Sequence, residues 1–313
     1  MTAVSSTSSK SSSAAISSEG DLAERRATFP VRDYDLAATL ASGQAFRWQP
    51  HGHDWTGVIG DRWVRLRAEP HAIHAETAGP TADWQWLRAY LQTDLDLDLV
   101  LASFPDDEPM RAAVKACRGL RLLRQEPWEC LASFILSSTK QIVQIRRIIA
   151  LLCERFGEPV PAVPGPPRVH SFPSPARLAA ATEAALRDCK MGFRAPYLLA
   201  TARRVADGEL DLNGLRGRSQ EMARAELMQL PGVGRKIADC VLLFAYGFPA
   251  AFPVDVWVMK ALHRWYFPKR RPAAKRLRHF SETHFGVNAG YAQQYLFHYM
   301  RTKWKPDART LIE

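Results

Sequence analysis

A chain of 313 residues, 47% of them hydrophobic, is long enough to build two domains with real cores. Its 42 Lys and Arg against 32 Asp and Glu leave a net charge of +10, which fits a polyanionic partner. Five cysteines (Cys117, Cys130, Cys153, Cys189 and Cys240) stand singly with no CxxC, which speaks against a zinc site and for reduced thiols inside a cell, and no run of 18 apolar residues spans a membrane.

Residues 1–20 are rich in Ser, Thr and Ala. They carry too little apolar surface to offset ordering, so a disordered tail is expected, and they lack the apolar core of a secretory signal. From about residue 30 to 80 the pattern is short and β-like. Residues 55–59 and 63–67 alternate with period two around Gly60-Asp61 and predict a hairpin. Helical periodicity starts near Asp83 with Trp84, Trp86, Leu87 and Leu91 and runs to the end, broken by a proline-rich link at 159–175. The expected fold class is α+β, mainly α. An antiparallel β domain with a flanking helix occupies 30–105, and a helical body occupies 106–305. No repeat is evident.

Within the body, residues 220–230 predict an amphipathic helix that stops at Pro231, because proline cannot continue the hydrogen-bond ladder. Gly232 and Gly234 free the backbone to turn, and a second apolar helix starts near Arg235. Such a hairpin aims backbone N–H groups and the positive end of a helix at a phosphate oxygen, gripping a nucleic-acid backbone without reading its sequence. Gly232, Val233 and Gly234 are the candidate grip.

Lys236 and Cys240 lie four residues apart, on one helical face. Asp255 follows Pro253-Val254 and stands where the N-cap of a helix over 256–266 belongs. An amine and a carboxylate brought to one cleft suit attack on a sugar carbon that bears a base: the amine bonds to the carbon and the carboxylate stabilises the developing positive charge. Attack requires the neutral amine. Asp239, beside the motif, reads as an exposed partner for Arg235 or another surface base. The basic residues Lys269, Arg270, Arg271, Lys275, Arg276 and Arg278 read as a solvated loop, and His263, His284 and His298 have no metal-ligand spacing.

The glycine hairpin with Lys236 and Asp255 resembles the helix-hairpin-helix, Gly/Pro–Asp superfamily of DNA glycosylases. Residues 41–48 (ASGQAFRW), 122–127 (LLRQEP) with Ser137-Ser138, and 291–297 (YAQQYLF) narrow the resemblance to 8-oxoguanine DNA glycosylase/lyases. The resemblance covers about residues 30 to 304 and implies a TBP-like β domain before a helical glycosylase body. It also implies excision of 8-oxoguanine from duplex DNA by a monomer acting on intracellular DNA, with no cofactor. The iron–sulfur cluster of endonuclease-III-type members is not expected, since no cysteine follows Cys240. A monovalent cation at the hairpin carbonyls is a family feature.

The resemblance further implies site roles. Lys236 forms a Schiff base and Asp255 stabilises the transition state. Cys240 and Phe297 sandwich the flipped base, Gln293 reads its pairing edge, and the Gly43 carbonyl accepts the N7 hydrogen that only the oxidised base carries. Ordinary guanine would set two acceptors face to face there. Phe193 matches the aromatic wedge and Arg194 an arginine that contacts the orphaned cytosine. Three positions depart from the family. Thr139-Lys140-Gln141 replace the asparagine that fills the gap, Gln144 replaces a second cytosine-reading arginine, and Trp257 replaces a histidine. The loss at Gln144 predicts relaxed opposite-base preference. Two rivals remain: a glycosylase for another damaged base, and a non-catalytic DNA-binding protein.

Overall fold

A computed structural model of the protein describes residues 24–163, 168–270 and 272–304. The expectation for residues 1–20 lies outside these, as does Arg271. Five strands, β1 (Arg26–Pro30), β2 (Gln49–His51), β3 (Asp54–Ile59), β4 (Arg62–Glu69) and β5 (Ala72–Thr77), form one antiparallel sheet in the order β1-β5-β4-β3-β2. Ile59 pairs with Arg62, so Gly60-Asp61 is a two-residue hairpin turn, with Gly60 at φ +60. Phe29, Val64, Leu66 and Ile73 bury the inner face.

The sheet begins earlier than the β-like pattern suggested, at Arg26, and α1 (Leu36–Ala41) interrupts it. Asp35 starts that helix by accepting the Ala38 N–H, a capping signal masked by the short apolar run that follows.

Thirteen further α-helices are described. They are α2 (Gln85–Leu91), α3 (Leu97–Ala102), α4 (Glu108–Cys117), α5 (Pro127–Leu136), α6 (Ile142–Phe156), α7 (Pro175–Ala179), α8 (Glu183–Leu186), α9 (Ala195–Ala206), α10 (Gln220–Leu227), α11 (Arg235–Val241), α12 (Val256–Trp265), α13 (Ala274–His284) and α14 (Ala289–Thr302). Helix α5 is buried on nearly every face, and its mean hydropathy matches a central helix rather than a surface one. It packs on α11, while α14 packs on α4 and α12. Inside the proline-rich link, β6 (Pro159–Val160) pairs with β7 (Val169–His170), a contact that two-residue strands do not announce in sequence.

The sheet and the helical body are joined by Gln44, which is fully buried. Its amide donates to the Arg121 and Thr39 carbonyls at 2.8 and 3.0 Å and accepts the Leu123 N–H at 2.7 Å. Gln125 donates to the Gln44 carbonyl at 2.7 Å. These bonds fix the loop that carries Gly43 against the body.

Candidate active site

Ser219 caps α10 by accepting the Met222 N–H, and the helix ends at Leu227, one turn before Pro231. Gly232 turns the chain at φ +76, and a Cβ there would lie 2.6 Å from the Tyr197 ring, so glycine is required for both reasons. Gly234 caps α11 without a side chain, leaving the first-turn N–H groups without intrahelical partners. Gly232 and Gly234 are exposed, but the Val233 side chain is buried, so only its backbone is available to a partner. The Leu230 carbonyl accepts the Val233 N–H and the Gly234 carbonyl accepts the Ala238 N–H. Each keeps a second lone pair.

Lys236 projects from α11 into a cleft of about 1030 Å³. The cleft lining brings together Gly43, Thr139, Lys140, Gln141, Lys236, Cys240, Asp255, Gln293 and Phe297. Lys236 Nζ lies 3.3 Å from Ser137 Oγ and 5.2 Å from the Phe134 ring centroid. Cys240 is buried one turn along, and burial pushes its thiol up to about 12, so it stays a neutral wall.

Asp255 is the N-cap of α12: its Oδ1 accepts the Trp257 and Val258 N–H groups at 2.9 and 2.8 Å. Burial raises its carboxyl above the ordinary carboxylate value, opposed by the Val258 N–H, the Lys236 charge, the Trp257 N–H and the Arg301 charge. One carboxylate thus starts a helix and faces the amine's cleft.

The opposite wall comes from α14, where Gln293, Phe297 and Arg301 recur every fourth residue on one face. Gln293 is 3% exposed, and its Oε1 has no hydrogen-bond partner among the described residues. A buried acceptor left open in a cleft is costly unless something fills it. Arg301 lies 5.3 Å from the Phe297 ring centroid and donates to the Ala41 carbonyl at 2.9 Å. Gly43, at φ +81, sits beside this wall: its missing Cβ would lie 2.8 Å from Ile142 Cδ1 and 3.6 Å from Phe297 Cε1.

Phe193, Arg194 and Gln144 stand outside the cleft lining. Phe193 is 54% exposed and meets Tyr197 edge to face at 6.3 Å. Arg194 is 2% exposed. Its guanidinium donates to the Ser138 carbonyl, to Thr139 Oγ1 at 2.6 Å and to the Met191 carbonyl at 3.2 Å, so it points into the protein's own turn. Thr139 forms the exposed tip of that turn at φ +57. Gln144 accepts the Gln141 N–H at 3.2 Å and so helps to start α6. Trp257 lines the cleft mouth with the Lys260 ammonium 4.5 Å from its ring centroid.

Asp239 is not exposed, as its position beside a surface arginine suggested. It is 2% exposed and accepts from Arg224 Nε at 2.6 Å, with Arg235 Nε at 3.5 Å. Arg224 comes from α10, so the pair clamps the two hairpin helices together. Ser137 and Arg301 were missed. Arg301 was findable as the next step of the Gln293–Phe297 spacing, whereas Ser137 meets Lys236 across 99 residues, and no local pattern announces that. Among the described residues no cluster of three or more His, Cys, Asp or Glu could hold a metal ion, and no helix is long and apolar enough to cross a membrane.

Two family models match consecutive parts of the chain. Residues 26–131 match the family model for the 8-oxoguanine DNA glycosylase N-terminal domain, and residues 132–285 match that for HhH-GPD superfamily base excision DNA repair proteins. The chain is 30% identical to a probable N-glycosylase/DNA lyase of Methanothermobacter thermautotrophicus, over 87% of this chain and 95% of that one. It is 30% identical to the N-glycosylase/DNA lyase OGG1 of Arabidopsis thaliana, over 86% of this chain and 79% of the relative. The fold is similar to the Clostridium acetobutylicum 8-oxoguanine glycosylase/lyase in complex with DNA containing cytosine opposite the lesion. There the TM-score is 0.82 at 29% identity, over 89% of this chain and 98% of that one.

Proposed function

The chain belongs to the HhH-GPD superfamily of base excision DNA repair proteins, in its 8-oxoguanine DNA glycosylase branch, and from that premise we propose that it removes 8-oxoguanine from duplex DNA through a Schiff base on Lys236. It is a DNA N-glycosylase with abasic-site lyase activity. The observation that carries the mechanistic reading is the meeting of Lys236, the helix-capping Asp255 and the unpartnered Gln293 Oε1 in one cleft.

The hairpin amides hold a backbone phosphate, and Phe193 enters the duplex beside the lesion. The damaged nucleotide swings into the cleft between Cys240 and Phe297, at a cost of a few kcal/mol in lost stacking. Stacking on Phe297 returns about 1–3 kcal/mol but favours no particular base. Discrimination falls to the Gly43 carbonyl, which accepts the N7 hydrogen of 8-oxoguanine and opposes the bare N7 of guanine, while Gln293 Oε1 takes a donor on the pairing edge.

Lys236 releases its ammonium proton to solvent, its freed lone pair bonds to C1′, and the C1′–N9 bond breaks, its electron pair leaving with the base. Asp255 stabilises the positive charge that develops on the sugar. Ring opening gives a C1′ imine. Loss of a C2′ proton with cleavage of the 3′ C–O bond nicks the strand, and water hydrolyses the imine. The turn at Thr139-Lys140-Gln141 fills the vacated stack. With Gln144 in place of a charged donor and Arg194 engaged by that turn, preference for the opposite base is relaxed. One chain supplies every group, which supports action as a monomer.

The test is base release and nicking on duplexes carrying a single 8-oxoguanine, an alkylated purine or ordinary guanine. Reaction at 8-oxoguanine alone fits the proposal; faster release of the alkylated purine overturns the lesion assignment.

A further inference from the structure

Ser137 closes α5 and is 9% exposed at the cleft floor. Its hydroxyl donates to the Phe134 carbonyl at 2.7 Å, so its only proton is committed. What it offers Lys236 Nζ at 3.3 Å is a lone pair, which fixes the direction of that contact: the amine donates and the hydroxyl accepts. The turn behind Ser137 is braced as well. Arg194 holds the Ser138 carbonyl and Thr139 Oγ1, and the Lys140 N–H returns to the Ser137 carbonyl at 3.3 Å. A braced acceptor beside the end of a long side chain restricts where that end points.

We infer that Ser137 is a positioning residue for the Lys236 nucleophile, taking one N–H and so fixing the rotation of the amine and the direction of its lone pair. The inference rests on the reading of Lys236 as the attacking group. The physical reason is geometric. A neutral amine has two N–H bonds and one lone pair. With one N–H held by Ser137 and the Phe134 ring 5.2 Å from Nζ, few orientations of the lone pair remain. An amine without that acceptor samples many rotamers, and only a fraction of them aim at C1′. Misplacement of a reacting group by about 1 Å is enough to slow a reaction about 100-fold.

The experiment uses the full-length protein and a duplex with a preformed abasic site, where C1′ is already an aldehyde and no base has to be recognised. Lys236 Nζ bonds to C1′, the aldehyde oxygen leaves as water with two protons, and borohydride delivers hydride to the C=N bond, trapping a secondary amine. The rate of trapping at saturating duplex is compared for wild type, Ser137→Ala and Ser137→Thr. Affinity for a tetrahydrofuran-site duplex and the thermal midpoint are measured beside it.

The inference predicts that Ser137→Ala traps about 10- to 100-fold more slowly with affinity unchanged and only the small drop in midpoint expected from the lost bond to the Phe134 carbonyl, and that Ser137→Thr, which keeps the hydroxyl, recovers most of the rate. Wild-type trapping rates in Ser137→Ala overturn it. So does a loss of rate that tracks a loss of affinity or a larger loss of stability, because that pattern marks a merely structural role. Failure of wild type to trap at all overturns the lysine reading and this inference with it. If trapping is slowed in Ser137→Ala while wild type ignores 8-oxoguanine, the positioning role stands and only the lesion assignment falls.

Discussion

The Tyr197 ring occupies the place that a Cβ on Gly232 would need, its Cδ2 lying 2.6 Å from that position. The same ring meets Phe193 edge to face at 6.3 Å. The glycine turn proposed to offer amides to one DNA strand is therefore keyed to the aromatic side chain proposed for the duplex interior. The proposed grip and wedge both pack on the one Tyr197 ring.

Gly232→Ala would meet that contact and a left-handed backbone together. The overlap costs about 1–3 kcal/mol, and a side chain at φ +76 costs about 1–2 kcal/mol more. The expected outcome is a lower thermal midpoint and at least tenfold weaker binding to undamaged duplex. Adding Tyr197→Ala should restore part of the stability, because it removes the overlap and leaves the backbone strain. Additive losses in thermal melts would contradict the keyed contact.

Asp255 titrates in a direction that separates activity from stability. Burial raises its folded-state pKa above the unfolded value, so its contribution to stability is present below the unfolded pKa and is lost as pH rises through the folded one. Asn keeps the cap and removes the charge. Asp255→Asn should thus abolish excision without lowering the melting point at pH 7. In wild type, single-turnover excision measured between about pH 4 and pH 8 should fall on the acid side at a pH above the ordinary carboxylate value, because protonation removes the stabilising charge. An acid limb at or below that ordinary value would count against the carboxylate's assigned role.

The Asp239–Arg224 pair clamps α10 to α11 at 2.6 Å with both side chains buried. Burial nevertheless raises the Asp239 pKa, outweighing the Arg224 bond and the Arg224 and Arg235 charges, so attraction does not fully offset desolvation. Removing one partner should cost about 3–5 kcal/mol, and replacing both with apolar residues of similar volume should cost much less. Urea unfolding of Asp239→Leu, Arg224→Met and the double variant distinguishes these. A double variant no better than the worse single would mean that the pair itself supplies the stability.

The proposed relaxed opposite-base preference rests on Gln144 and Arg194. Gln144 accepts the Gln141 N–H and carries no charge, while Arg194 is engaged by Ser138 and Thr139. Excision of 8-oxoguanine opposite C, A, G and T should differ little, and Gln144→Arg should raise the preference for C, a good bidentate contact being worth about 1–3 kcal/mol of discrimination. A strong C-only preference in wild type would refute this.

Much of the site is readable in sequence wherever spacing on one helix decides the outcome. Lys236 with Cys240, and Gln293 with Phe297, share faces because four residues make about one turn. Asp255 caps α12 because an acidic residue before an apolar helix accepts its first N–H groups. What sequence does not carry are meetings between distant segments. Asp239 looked exposed because its partner Arg224 lies on the preceding helix. Ser137 gave no sign of reaching Lys236, and nothing marked β6 and β7 as paired. Helix α1 was lost inside a region whose short apolar spacing fits a strand as readily as a helix.

The central claim is that Lys236 is the nucleophile of a reaction specific to 8-oxoguanine. It is tested most directly by borohydride trapping on a duplex with a single 8-oxoguanine, comparing wild type with Lys236→Gln and with undamaged DNA. The account predicts a covalent adduct only for wild type on the damaged duplex. Tight binding of the damaged duplex without any adduct would contradict it and reduce Lys236 to a phosphate contact.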